Sequence, residues 1–293
     1  MKRTFTLILL LICIASFDTY AQKQPQIQDA SVYAPANIKV DGKLNEWQNP
    51  FINPQKFNGF LSAFNTTNRI YYTMANDDKN LYLTVRGLGN GVSKKLLAGG
   101  MTLTISHAEK NKRAKDPSNV AITFPMPQDP KTTAEIMGEI NQIQDYLDDT
   151  VANRKDIDTV NAIANKWIIK AAKEIRIIGV KEITDPVVSV YNTEGIKAAM
   201  QFIKVQAAIE IAIPLKYLGL SVDNPSFSYN IRIDAVPEAS GGAPVKINIS
   251  APVPDVEKMT FGPDARVPAV NPNSAYAWNP TDFWGEYTLA KKP

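Results

Sequence analysis

The chain of 293 residues contains one histidine and one cysteine, and these two counts bound most of the chemistry open to it. His107 follows Ser106 at the end of an alternating apolar run, and any Ser-His-Asp triad would have to use it. Zinc sites built from His and Cys lack ligands. Cys13 lies inside an N-terminal apolar run, so the rest of the chain has neither disulfides nor thiol chemistry. Aspartate and glutamate are plentiful, yet no spacing singles out the carboxylate pair that a glycosidase places across its scissile bond. One acidic doublet, Asp77-Asp78, stands in a polar turn. Clustered carboxylate and carbonyl oxygens there suit a hard cation such as calcium. The plainer reading is an Asx-type turn. Taken together, the residue types favour binding over catalysis.

Formal net charge is +3, with 44% hydrophobic and 21% charged residues, the balance of an ordinary globular protein. A charge so small and scattered argues against nucleic acid or an anionic membrane as partner. The one basic run, residues 110–115, has no interleaved aromatics and reads as a solvated loop. At the N-terminus, Lys2-Arg3 precedes an apolar stretch over residues 5–14 and small residues up to Ala21. That is the pattern of a secretory signal peptide over residues 1–21, cleaved before Gln22, and it predicts export to the periplasm or beyond. The alternative is a lipid anchor at Cys13, although Ile12 rather than a small residue precedes that cysteine. No stretch of the mature chain is long enough for a transmembrane helix.

The elements that must position any site follow from periodicity. Residues 38–40 read as a short β-branched strand running into Asp41-Gly42, after which an amphipathic turn delivers Trp47 to an interior. Residues 69–75 and 81–88 alternate and form a hairpin across the turn at 76–80. Strands are predicted at 101–106 and 120–124. Over about residues 132–173 the period changes to that of a helix. Ile136, Ile140, Ile143, Leu147 and Val151 share one face; Ile157, Val160, Ala164, Trp167 and Ala171 share another. With a break at Asn153-Arg154, this is a helical hairpin inserted in a β domain, packed on it or offered to a partner. Strands resume at 175–183, 187–191, 196–203, 205–213, 227–236 and 246–249, and the last spans 282–289. Pro214 ends its strand because it cannot donate to a ladder. Residues 252–278 form a Pro- and Asn-rich loop.

Four words in this order carry a resemblance. They are Val40-Asp41-Gly42-Lys43-Leu44 leading to Trp47, the hairpin from Tyr71-Tyr72 through Asp77-Asp78 to Leu81-Tyr82-Leu83, Glu210 leading to Ile213-Pro214, and Trp284-Gly285 near the end. Together the chain resembles the family nine carbohydrate-binding modules and their DOMON-like relatives. The resemblance implies a mainly β fold over residues 22–293, an antiparallel β-sandwich of jelly-roll character carrying the helical insertion. It implies a protein that binds glycan without a catalytic centre or cofactor, calcium aside. The rivals are an accessory protein engaging an envelope partner through the helices, and a carboxylate enzyme. DOMON-like relatives sometimes hold haem through Met and His, for which His107 would be the one imidazole. Sugar sites in the family stack pyranoses on aromatic rings. The resemblance places Trp47 and Trp284 in structural positions, and Trp167 falls on an apolar helix face, so all three are expected in the core. Tyr276 and Trp278, two apart in the Pro/Asn loop, are left as the candidate platform.

Overall fold

The computed structural model describes residues 25–47, 63–148, 154–203, 206–221, 223–237 and 276–293. The proposed signal peptide, Cys13, the expected strand at 246–249 and most of the Pro/Asn loop lie outside that set. In chain order the elements are β1 (Ala63–Asn65), β2 (Ile70–Asn76), β3 (Asn80–Gly87), a short helix α1 (Asn90–Lys94) running into a π-turn (Lys95–Gly99), β4 (Met101–Ser106) and β5 (Val120–Thr123). Two long helices follow, α2 (Pro130–Asp148) and α3 (Arg154–Ala171). The chain then returns to strands: β6 (Glu174–Ile178), β7 (Val187–Ser189), β8 (Lys197–Ile203), β9 (Gln206–Pro214), β10 (Ser226–Ile233) and β11 (Thr281–Thr288).

The strands form two antiparallel sheets packed face to face, ordered β1-β2-β3-β9-β8 and β11-β10-β4-β5-β6-β7. Alternation sets what lies between them. Tyr72, Met74, Leu83 and Val85 of the first sheet, and Leu103, Ile122, Tyr229 and Ile231 of the second, all bury their side chains in one core. The Tyr72 and Tyr229 hydroxyls meet at 2.9 Å, and the Gln28 backbone N–H donates to Tyr72 at 2.8 Å. Burial pushes both phenols well above their ordinary pKa.

Both edges of the first sheet are covered. On one side the Gln28 side chain pairs with the free backbone of Met74 where β1 has ended, donating to its carbonyl and accepting from its N–H, each at 2.8 Å. On the other, the Asn165 amide of α3 donates to the Phe202 carbonyl and accepts from its N–H, at 3.1 and 2.8 Å, standing in for a further strand on β8. Ile136, Ala164, Trp167 and Ile168 of the two helices belong to the main core, so at these residues the apolar face is spent on the sandwich. The side chains of Ile140, Ile143, Leu147, Val151 and Val160 lie outside the described set.

The segment expected as a strand at 38–40 has no ladder partner. It lies instead on the outer face of the first sheet, where Ile38, Val40, Leu44 and Trp47 pack over Ala75, Tyr82, Ala208 and Ala212 in a second, smaller core. The three alanines leave room for the indole. Glu210 ties this layer down: the Asp41 and Gly42 N–H groups donate to Oε2 at 2.9 and 2.7 Å, and the Trp47 indole N–H donates to Oε1 at 2.8 Å. Gly42 is required at its place, since its φ is +77° and an added Cβ would come within 2.9 Å of the β8 backbone.

Candidate functional site

Strand parity separates the two faces of the six-stranded sheet. In β11, Phe283 and Tyr287 pack toward the interior, and Gly285 lies so close to the Tyr229 ring that any side chain there would collide with it. The intervening residues Asp282, Trp284 and Glu286 therefore face outward. Trp284, expected in the core, is a half-buried ring on the outer surface. The signal that could have placed it was parity: a residue between Phe283 and Gly285 cannot share their face.

Register assembles a site around that ring. Trp284 stands opposite Asn230, which stands opposite Thr104, then Ala121, then Ile178, making one row across five strands. At strand spacings of about 4.8 Å the row is about 19 Å long. On one side runs a parallel row of Asp282, Arg232, Thr102, Thr123 and Arg176; on the other, Glu286, Ser228 and Ser106. The polar groups are held in place. Asn230 donates to Asp282 Oδ2 at 2.8 Å, Arg232 pairs with Asp234 at 2.6 Å, and the Thr102 and Thr123 hydroxyls meet at 2.9 Å.

The basic loop expected to be merely solvated contributes one of its members. Arg113 folds back so that its guanidinium lies 4.6 Å from the Trp284 ring centroid, donates to the Ser228 hydroxyl at 3.3 Å and pairs with Glu286 at 3.6 Å. Only 11% of its side chain stays exposed, and its guanidinium occupies one face of the ring and holds it in place. Beside it, Ser106, Ser228, Glu286 and Thr288 line a polar cavity of about 390 Å³ that the Gln28–Ser31 stretch closes from the edge. That volume lies within the usual range for small-ligand sites.

His107 also borders this cavity. Its Nε2 sits 2.7 Å from the Leu218 carbonyl, which can only accept, so Nε2 carries the proton and serves the backbone. The one buried carboxylate among the described residues is Glu210, already saturated by its three N–H donors. Burial pushes its carboxyl up, against those donors, which hold it down. No group of three or more His, Cys, Asp or Glu side chains able to hold a metal occurs among the described residues.

Asp77 makes an Asx turn. Its Oδ1 accepts from the Lys79 and Asn80 N–H groups at 2.7 and 2.6 Å, and its Oδ2 accepts from the Tyr82 hydroxyl at 2.7 Å. Asp78 is exposed. Tyr276 and Trp278 stand at the end of a helical turn rather than in an extended segment. The Tyr276 hydroxyl donates to the Asn68 carbonyl at 2.7 Å, and its ring carries the Arg69 guanidinium at 4.6 Å and the Lys95 amine at 4.1 Å. Trp278 is 43% exposed.

Lys95, in the π-turn, is completely buried. Its amine donates to the Asn279 carbonyl at 2.7 Å and to the Thr281 hydroxyl at 3.0 Å. Burial lowers its pKa to about 7, with Asp234 pulling the other way. Nothing in the sequence pattern marks it, since a lysine after Asn90–Lys94 reads as an exposed helix end.

Comparison with protein-family models, with curated proteins and with solved structures finds no match to the chain.

Proposed function

We propose that the protein is an exported, non-catalytic binding protein that takes a glycan on the outer face of the six-stranded sheet, with Trp284 as its stacking ring. The observation that carries this reading is the combination of a half-buried indole, fixed by Arg113, with rows of hydroxyl, amide, carboxylate and guanidinium groups on one sheet face. Sugars present the matching surface: a flat apolar pyranose face for the ring, and hydroxyls that donate and accept around its rim. The charges named on the face balance, Arg113, Arg176 and Arg232 against Asp234, Asp282 and Glu286, with Arg113–Glu286 and Arg232–Asp234 in ion pairs, which suits a neutral chain.

The resemblance to family nine modules and DOMON-like domains supports the same reading, as does the N-terminal pattern of an exported protein. Ile136, Ala164, Trp167 and Ile168, the described apolar residues that α2 and α3 give to the core, are not available to a partner. A glycan array on the mature chain, followed by titration of the strongest ligand into wild type and Trp284→Ala, tests the proposal. The variant should bind about tenfold more weakly or worse, from the loss of a stacking ring, with an unchanged melting temperature. No binding to any glycan would overturn it.

A further inference from the structure

The two ends of the sandwich are closed differently. At one end α1 and the π-turn drive Val92, Leu96 and Leu97 fully into the core as a plug. At the other, between the β2–β3 turn, the Leu215–Leu218 turn and the chain after β11, a cavity of about 940 Å³ opens to the surface. Pro214, Leu215, Leu220, Pro225 and Leu289 supply its apolar lining, and Leu215 and Leu220 are themselves core residues. Lys79, Lys216, Lys291 and Lys292 stand among its lining residues, with Asp77, Asp78 and Glu194. Asp77 is held in place by its turn and by Tyr82 and keeps its charge, so the lining carries four amines against three carboxylates, an excess of one positive charge.

We propose that this end cavity binds a single-chain anionic amphiphile of the class of a long-chain fatty acid. The acyl chain would lie against the apolar lining and the carboxylate among the lysines. Charge and lining chemistry select this occupant. A peptide brings a backbone donor and acceptor at every residue, for which an apolar wall has no partners, whereas an acyl chain asks for none. A neutral apolar molecule would leave the lysine excess unused. The site shares only Thr288 with the polar cavity beside Trp284, and the proposal does not rest on the glycan reading.

The test uses the mature chain and displacement of a fluorescent 16-carbon fatty acid, with dodecanoate, dodecanol and acetate as competitors at submicellar concentration. The expected result is saturable 1:1 binding, displacement by dodecanoate, displacement by dodecanol at least about tenfold weaker, and none by acetate. Lys291→Glu with Lys292→Glu, both exposed, should weaken dodecanoate about tenfold or more through charge reversal at the mouth, leaving the melting temperature and glycan binding unchanged. Absence of saturable binding overturns the proposal. So does binding that treats dodecanoate and dodecanol alike and ignores the lysine reversals, since that is apolar adsorption only.

Discussion

Glu210 shows how one side chain can join two distant parts of a sequence. Its carboxylate receives the Asp41 and Gly42 N–H groups and the Trp47 indole across more than 160 residues, so the N-terminal layer and β9 hold each other in place. Trp47 is 1% exposed. Trp47→Ala should therefore cost roughly 3–5 kcal/mol, the range for deleting a large buried aromatic, in a denaturant titration; a loss under about 1 kcal/mol would place the ring outside the core. Glu210→Gln leaves one N–H donor facing an amide NH₂ and should cost about 1–3 kcal/mol. Lys95 makes a prediction in pH. Its pKa falls from 10.5 in the unfolded chain to about 7 in the folded one, by burial. Between those values the unfolded chain holds a proton that the folded chain does not, so stability rises with pH across the window and is flat below it. The rise approaches about 1.4 kcal/mol per pH unit. Unfolding titrations at pH 6, 8 and 9.5 should show this slope in wild type and its loss in Lys95→Met; equal slopes would contradict the assignment.

At the scale of elements, the helical insertion acts as an edge cover. Asn165 satisfies both backbone groups of Phe202 on the outermost strand of its sheet, a position otherwise open to pairing with another chain. Asn165→Ala should destabilise by about 1–2 kcal/mol and raise the tendency to associate, read by urea titration and light scattering. Periodicity made most of these elements legible. The β2–β3 hairpin, β4, both long helices, and β9 ending at Pro214 fall within a few residues of where alternation and helical spacing place them. Short-range pattern failed where distant contacts decide. Residues 38–40 have the composition of a strand, but their partners are side chains on a sheet face rather than a ladder. The plug formed by α1 and the π-turn is too short to show a period. Arg113 lies in a run that reads as solvated, and only the fold brings Trp284 beneath it.

For the whole molecule, the sandwich spends its interior and both edges of its five-stranded sheet on stability, and the outer face of the six-stranded sheet, the face proposed for glycan, carries polar rows in which Ser106, Thr123, Ser228 and Asn230 are buried. From β6 through β5, β4 and β10 to the β11 edge the outward side chains are in register, so the polar rows are set by the same ladders that hold the fold. Trp284 could not be assigned to this surface by its place in a family-like word; parity with Gly285 and Tyr287 was the available signal, and the partner residues came only with the register. The most direct test of the glycan face is calorimetric titration of the strongest array ligand into wild type, Trp284→Ala and Trp278→Ala in parallel. Loss of about tenfold or more in affinity for Trp284→Ala, with near wild-type binding for Trp278→Ala and unchanged melting for both, is the predicted result. Full affinity in Trp284→Ala, or a loss confined to Trp278→Ala, would contradict the account and move the site to the segment around Trp278.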